Sequence, residues 1–157
     1  MSSFLGNQSP PAAGTEPVLV NNGFWPNVDP VDIRGAARLD GTVTAPRLRL
    51  ALQMAMADVN EQLAAWQLAQ EAAGHALASA VPAPQVDGQS THLLHYRMAL
   101  VSHIQAGLAE RYRDLDTTGA GDKKATELEA TAAEHRRNLH WALSRIVGRA
   151  RSTVELI

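Results

Sequence analysis

Apolar residues recur every three or four positions between Thr44 and Leu68, and this period constrains the fold more than any other feature of the chain. A helix has about 3.6 residues per turn, whereas a half-buried strand alternates at every second residue, so the segment predicts one long amphipathic helix. Thr44 fits its N-cap, and Pro46 lies in the first turn, where the missing N–H leaves no hydrogen bond unmade. The stripe consists of Leu48, Leu52, Ala55, Met56, Val59, Leu63 and Trp66.

The far side of this predicted helix carries a second, weaker apolar stripe, formed by Leu50, Met54, Ala57 and Leu68. A helix with two apolar sides packs against two different surfaces. The first stripe is expected to enter the core of the chain. The second contact is expected either within the chain or with a neighbouring subunit, and Leu50, Met54 and Leu68 are the residues predicted for a subunit or partner interface.

A short helix and a loop flank the long helix. Asp29 fits the N-cap of the short helix and Pro30 its first position, so the helix is predicted over 30–39, ending near Gly41. After the long helix, residues 74–90 contain two prolines and are predicted to form a loop.

Two more long helices follow that loop. The third is predicted to begin at Ser90 or Thr91, and the fourth to run from about Lys123 to Val147. Gly107 lies on the apolar side of the third helix, which predicts a close approach by another helix. The apolar positions of the two helices are Leu93, Tyr96, Leu100, Val101, Ile104, Gly107, Leu108, Leu128, Ala132, His135, Leu139, Ala142, Leu143 and Ile146.

These patterns predict an all-α fold, a bundle of about four helices with extended segments at both ends. Aromatic residues make up only 4% of the chain, which favours packed helices with an aliphatic core over a sheet. The side chains expected to hold the bundle together are Leu52, Val59, Leu63, Leu100, Ile104, Leu108, Leu139 and Leu143.

The two ends of the chain lack a helical period. Residues 1–28 are rich in Pro, Gly, Ser and Asn and are predicted to form an extended arm, which leaves 29–148 as the helical domain. Phe24 and Trp25 are unfavourable in water, so the arm is expected to dock on its own core or on a neighbour through these residues. Residues 149–157 form a β-prone tail, for which an otherwise helical domain is expected to offer no sheet edge.

The connection between the third and fourth helices resembles a calcium-binding loop. Its template positions up to the ninth are filled by Asp114, Asp116, Thr118, Gly119 and Asp122. The twelfth position normally supplies a bidentate carboxylate but is Ala125 here, and Glu127 lies two residues too late to replace it. We therefore predict a helix–helix connection without a metal ion.

The side chains suited to catalysis form no recognisable arrangement. His92, His95 and His103 lie on one predicted helix and are expected to face solvent, since zinc needs three or four converging ligands. His135 is predicted to be a hydrogen-bonded core residue. No serine lies in a nucleophile motif and the chain has no cysteine, so we predict no catalytic residue, no cofactor and no enzymatic activity.

Charge and hydropathy exclude several further classes. The formal net charge of −2 argues against sequence-independent binding of duplex DNA by charge alone. The absence of cysteine is consistent with a reducing compartment. No apolar run reaches membrane-spanning length, and no signal peptide is expected.

Trp141 lies off the main apolar stripe of the fourth helix, with Arg137 and Arg145 about one turn to either side. One interpretation is a guanidinium group stacked on an exposed indole ring. The other is an interface anchor, because Trp and Arg are enriched in binding hot spots. The sequence leaves both interpretations open.

Three stretches together carry a resemblance to a known family. They are FWPNVDPVDIRGAARLDGTVTAPRLRLALQMAMADVNEQL, ERYRDLDTTGAGDKKATELEATAAEHRRNLHWALSRIVG and RARSTVELI. In this order they resemble the head completion proteins of contractile-tailed temperate phages, the GPL type. The similarity covers the chain from Phe24 to Ile157.

The resemblance implies a structural virion protein that closes the DNA-filled head and joins it to the tail. It implies a ring of roughly twelve neighbouring copies on the phage portal protein. Packaged DNA would pass through the channel, with a further neck or tail-completion protein on the tail side. Assembly in the bacterial host cytoplasm, without a membrane, is also implied.

The C-terminal tail is the expected portal-binding segment. Its apolar residues favour addition as a strand to a sheet edge of the portal, and its arginines are suited to acidic groups there. The residues concerned are Arg149, Arg151, Thr153, Val154, Leu156 and Ile157.

Two other classes are considered from the residues alone. A helical regulatory or DNA-binding module would use the arginines of the fourth helix and the tail, although interspersed acids and the lack of a recognition-helix pattern count against it. A calcium-regulated helical protein would use the connection described above. The arginines concerned are Arg136, Arg137, Arg145, Arg149 and Arg151.

Overall fold

The structure is a computed structural model that describes residues 16–115 and 121–148, except for the side chains of 112–115 and 121–129. Most of these residues belong to four helices, which confirms the predicted all-α class. The helices are α1 (Pro30–Ala36), α2 (Ala45–Ala72), α3 (Thr91–Leu115) and α4 (Gly121–Val147).

Helix α1 begins as expected but ends earlier than predicted. The Asp29 side chain accepts a hydrogen bond from the N–H of Val31 at 2.9 Å, and Pro30 occupies the first helical position. The helix ends at Ala36 rather than near residue 39, because Arg38 adopts a left-handed conformation with φ of 55°. The N–H groups of Arg38 and Leu39 then bond back to the carbonyls of Gly35 and Arg34, which is the pattern of a Schellman cap.

Helix α2 spans 28 residues, or about 42 Å. It starts after Thr44, whose backbone is extended but whose side chain makes no capping hydrogen bond. It ends shortly before Gly74, which has φ of 96° and takes the left-handed position that glycine favours. Every residue of its predicted core stripe except the partly buried Trp66 is buried.

Helices α3 and α4 pack side by side along most of their length and form a helical hairpin. Five residues separate Leu115 from Gly121. Because this connection is short, the two helices run antiparallel. Helix α2 covers this hairpin and contacts α3 more than α4. Of the eight side chains predicted to hold the bundle, Leu108 is partly buried and the others are buried.

The close approach predicted at Gly107 is wrong. A Cβ atom built on this glycine would meet no atom within 4 Å. Two adjoining cavities of about 80 and 60 Å³ lie between α2 and α3 instead, and Gly107 lines the smaller one. Both cavities are lined by Ala51, Ile104, Leu108 and Arg111.

The segment 74–90 contains more regular structure than the predicted loop. A 3₁₀ turn (Ala78–Ala80) precedes two antiparallel strands, β1 (Gln85–Val86) and β2 (Gln89–Ser90). Asp87 and Gly88 join the strands with φ of 51° and 71°, the left-handed pair that a two-residue hairpin turn requires. The expectation that the domain offers no sheet edge is therefore wrong, although each strand has only two residues.

The described part of the predicted arm, residues 16–28, folds onto the helices. Leu19 and Val28 form an antiparallel bridge, with N–H to carbonyl distances of 2.8 and 2.9 Å. Leu19 and Val28 also belong to the same buried cluster as the helical core residues. This segment therefore shares its core with the helices of the domain.

None of the helices in the described part of the chain is both long enough and apolar enough to cross a membrane.

Candidate interaction surfaces

Trp25 lies at the centre of an aromatic cluster that fixes residues 16–28 to two helices. Its ring stacks on Tyr96 of α3, with centroids 4.5 Å apart, and on Trp66 of α2, with centroids 5.6 Å apart. Phe24 packs edge-on against Trp25 and Trp66. The segment is thus held by large aromatic contacts with both α2 and α3.

Polar side chains close the edge of this cluster. Asn21 donates to the Tyr96 hydroxyl, which donates to Asn60 Oδ1, and Asn60 Nδ2 donates back to Asn21 Oδ1. All three distances are 2.8 Å, so the three side chains form a closed ring of hydrogen bonds. Burial raises the pKa of Tyr96 to about 12, because the charged phenolate would lose its hydration.

Phe24 and Trp25 were predicted to contact a subunit or partner, and the structure corrects this. Phe24 exposes 3% of its surface and Trp25 exposes 2%, because both are buried in the core of their own chain. The arm was expected to dock on its own core or on a neighbour. The described residues show that it docks on its own core.

Two arginines tie the same segment to the helices from the outside. Arg34 of α1 bonds Glu16 through Nε and Nη2, at 3.1 and 2.7 Å, and donates from Nη1 to the Val43 carbonyl at 2.7 Å. Arg49 of α2 donates to the Pro17 carbonyl at 2.8 Å. These contacts fix the point at which the chain enters the domain.

The predicted second stripe of α2 is exposed in the protomer. Leu50, Met54 and Leu68 expose 59%, 54% and 65% of their surfaces. Together with Ala57 and Glu61, which are also exposed, they form what we call the α2 outer face. These positions are three, four or seven residues apart and lie opposite the buried stripe. The exposure leaves this face available to a partner.

A second exposed surface lies on α4 and is formed by Arg137, Trp141 and Arg145, which we call the α4 outer face. Trp141 exposes 45% of its surface. Neither Arg137 nor Arg145 has an ion-pair partner within the described part of the chain, whereas the neighbouring Arg136 pairs with Glu110 of α3. The α4 outer face therefore combines a large aromatic ring with two available positive charges.

The histidines are less exposed than predicted. His92 packs edge-on against Trp66, with ring centroids 5.0 Å apart, and burial lowers its pKa. His103 Nε2 lies 2.8 Å from Asp58 Oδ2, which connects α3 to α2. His135 was predicted to be hydrogen-bonded, but its buried Nδ1 has no partner among the described residues. Among the described residues, no three His, Cys, Asp or Glu side chains come close enough together to bind a metal ion.

Two sequence predictions fall outside the described residues. The portal-binding tail, 149–157, is one, and residues 116–120 of the calcium-like connection are the other. Helix α4 ends just before Gly148, whose φ of 76° agrees with the predicted helix stop. Gly148 is thus the last described residue before the predicted tail, and it follows directly on α4.

Sequence reasoning missed the ring of Asn21, Asn60 and Tyr96. A local signal was present, because Asn22 and Gly23 form a turn in which Asn22 Oδ1 accepts from the N–H groups of Phe24 and Trp25. The partners on α2 and α3 had no such signal, since they are 39 and 75 residues distant from Asn21.

Comparison with known proteins places the chain in a family. The family described as "Phage head completion protein (GPL)" matches residues 19–157. The chain is 39% identical to the head completion/stabilization protein of Escherichia phage P2 over 148 residues, which cover 94% of this chain and 88% of that protein. No solved structure matches the chain. The chain therefore belongs to the family of phage head completion proteins.

Proposed function

We propose that this chain is a virion protein that completes and stabilises the DNA-filled head of a phage, acting as a connector subunit on the portal. The observation that carries the proposal is the match to the head completion family over 139 residues, from 19 to 157. The match includes the tail as well as the helical domain. Neighbouring copies would form a ring of roughly twelve subunits around the channel through which DNA passes.

The described structure suits a subunit of such an assembly. Residues 16–28 are packed into the core through Phe24 and Trp25, so they belong to the same folded unit as the helices. Two exposed faces, on α2 and α4, remain available for neighbours. The proposal involves no catalytic step, and the connector would act through binding alone.

The tail is proposed to bind the portal by adding a strand to one of its sheet edges. Val154, Leu156 and Ile157 are each stabilised by roughly 1.5–3 kcal/mol when they leave water, and a strand also needs partners for its backbone groups. Strands β1 and β2 have only two residues each, so the domain's own hairpin provides a very short edge. A longer edge on the portal meets both requirements, and Arg149 and Arg151 would contact acidic groups beside it.

Deletion of Thr153–Ile157 tests this proposal. We expect a folded, soluble subunit that no longer joins the portal, so that packaged heads lose their DNA to added nuclease. Portal binding is measured by co-sedimentation, and folding by circular dichroism. Normal portal attachment by the truncated chain would rule out the tail as the anchor.

A matched pair of substitutions separates strand addition from a nonspecific effect of the tail. Side chains alternate along a strand, so in the proposed strand Val154 and Leu156 would point to one side and Glu155 to the other. We expect V154S/L156S to weaken portal binding strongly and E155Q to leave it close to that of the unchanged chain. Equal binding by both variants would contradict strand addition.

A further inference from the structure

We propose that the α2 outer face of one copy packs against the α4 outer face of a second copy. This inference deepens the proposed function, because it assigns the two surfaces through which neighbouring connector subunits meet. The contact is formed by copies of this chain alone and does not require the portal.

The geometry of α2 supports a helix-sized contact. Leu50, Met54, Ala57, Glu61 and Leu68 are all exposed and follow one line along the helix. Leu50 and Met54 lie one turn apart, and Leu68 lies on the same line about 21 Å further along the helix. They suit the docking of another helix, which inserts side chains between successive turns.

Charge complementarity identifies a second copy as the occupant. Residues 50–72, the part of α2 that follows Arg47 and Arg49, contain Asp58, Glu61 and Glu71 and no Lys or Arg, which gives this part a formal charge of −3. Residues 135–147 contain three arginines, at 136, 137 and 145, and no Asp or Glu, which gives +3. The same chain thus carries two helical segments of opposite charge, each with exposed apolar side chains.

The charges that remain available lie on the two outer faces. Asp58 is engaged by His103, and Arg136 by Glu110, within the protomer. Glu61 of α2 and Arg137 and Arg145 of α4 have no ion-pair partner within the described residues. Trp141 lies between these two arginines and contributes the aromatic surface that is enriched in the centres of interfaces.

The same charges determine the symmetry of the contact. Two α2 outer faces would bring acidic groups together, and two α4 outer faces would bring arginines together, so like-with-like pairing is repulsive. Pairing α2 with α4 joins two different surfaces. Such a heterologous contact leaves one free face at each end of a dimer, so it continues from copy to copy and closes into a ring when the rotation permits.

Charge reversal on each face tests the contact in the purified full-length chain. The variants are E61K/E71K and R137E/R145E, all at exposed positions; Glu71 lies three residues after Leu68 and adds a second acidic group at the end of the α2 outer face. By sedimentation equilibrium, we expect the unchanged chain to self-associate with a dissociation constant below about 1 mM. Each variant should associate at least about 100-fold more weakly, because like charges then face each other.

Mixing the two variants is the discriminating measurement. In one contact of the mixture, the lysine-bearing α2 outer face of E61K/E71K meets the glutamate-bearing α4 outer face of R137E/R145E. The unchanged faces meet in the other contact, so both contacts are complementary, and we expect the equimolar mixture to recover association. Three results would overturn the proposal. The mixture could associate as weakly as its components, or the variants could associate as strongly as the unchanged chain. The third is an unchanged chain that stays monomeric at about 1 mM.

The control R38E/R97E carries the same change in net charge as R137E/R145E, and both of its positions are exposed and lie outside the two faces. We expect it to associate like the unchanged chain, and a loss equal to that of R137E/R145E would point to net charge instead of the α4 outer face. These measurements contain no portal. A failure here is therefore distinguishable from a failure of the tail deletion to affect portal binding.

Crosslinking provides a readout that does not depend on affinity. The chain contains no cysteine, so single cysteines can be placed without background. A mixture of M54C and R137C chains treated with a bis-maleimide should give dimers, whereas V31C mixed with R137C should not. Dimers formed equally by M54C chains alone would show like-with-like pairing and overturn the heterologous contact.

Discussion

At the scale of single residues, Trp25 links three parts of the molecule. It contacts Phe24 of its own segment, Trp66 of α2 and Tyr96 of α3. These four residues account for four of the seven aromatic residues of the chain. The rest of the described core is largely aliphatic, so aromatic packing is concentrated at this junction.

Ile104 tests the aliphatic part of the core. It exposes 3% of its surface and lines both cavities between α2 and α3. We expect Ile104→Ala to lower the free energy of unfolding by about 2–5 kcal/mol, since it removes buried methylenes and enlarges an existing void. Urea denaturation measures the change.

Leu50→Ala is the control for this substitution, because Leu50 is an exposed aliphatic residue on a neighbouring helix. In the dissociated protomer its effect should stay within about 0.5 kcal/mol. A loss for Ile104→Ala in that same range would contradict the core described for α3.

Tyr96 confers a dependence on alkaline pH. Its pKa rises from 10.0 to about 12 on folding, so the folded state favours the neutral phenol. The resulting stability is fully present below about pH 10 and is lost as the pH approaches about 12. Since Phe cannot titrate, the difference in unfolding free energy between the unchanged chain and Tyr96→Phe should shrink between these two values. Urea denaturation at several pH values measures it, and a constant difference would contradict the burial of the phenol.

At the scale of elements, residues 16–28 behave as a part of the helical domain in spite of their irregular backbone. Their side chains supply Leu19, Phe24, Trp25 and Val28 to the main core. Because these residues cover Trp66 and Tyr96, the helices alone would expose a large aromatic surface to water. The segment therefore completes the core that the helices leave open.

A pair of truncations measures this contribution. We compare chains that begin at residue 16 and at residue 29, so that the difference isolates the segment 16–28. The shorter chain should be less stable by at least about 3–5 kcal/mol, the cost of truncating one buried aromatic side chain. Thermal and urea unfolding of the two chains measure the difference. Equal stabilities would mean that the domain begins at residue 29.

At the scale of the whole molecule, a net charge of −2 conceals a separation of charge between helices. The acidic segment lies on α2 and the arginines lie near the end of α4. In the proposed contact each of these elements meets a different neighbouring copy, which suits a subunit that repeats around an axis. The tail continues from the end of α4, so the proposed portal contact begins next to a proposed subunit contact.

The helices and most of their buried positions could be predicted from the sequence, because the 3.6-residue period is a local property. The early end of α1 could not be predicted, since Arg38 takes the left-handed position after the helix at which glycine is the usual residue. The hairpin at Asp87 and Gly88 did have a local signal, which the surrounding prolines obscured. The stacking of Trp25 on Trp66 and Tyr96 had no local sequence signal, because these residues are brought together only by the packing of separate elements.

The stacked rings around Trp25 also give the protein an optical signature. Aromatic chromophores stacked at such short separations couple electronically, and where their transition dipoles are twisted relative to each other the split ultraviolet transitions give paired circular-dichroism bands of opposite sign. Isolated tryptophans on a mobile chain give no such bands. The circular-dichroism spectrum therefore reports on the native packing around Trp25 without any label, both in the free subunit and in a subunit bound to others.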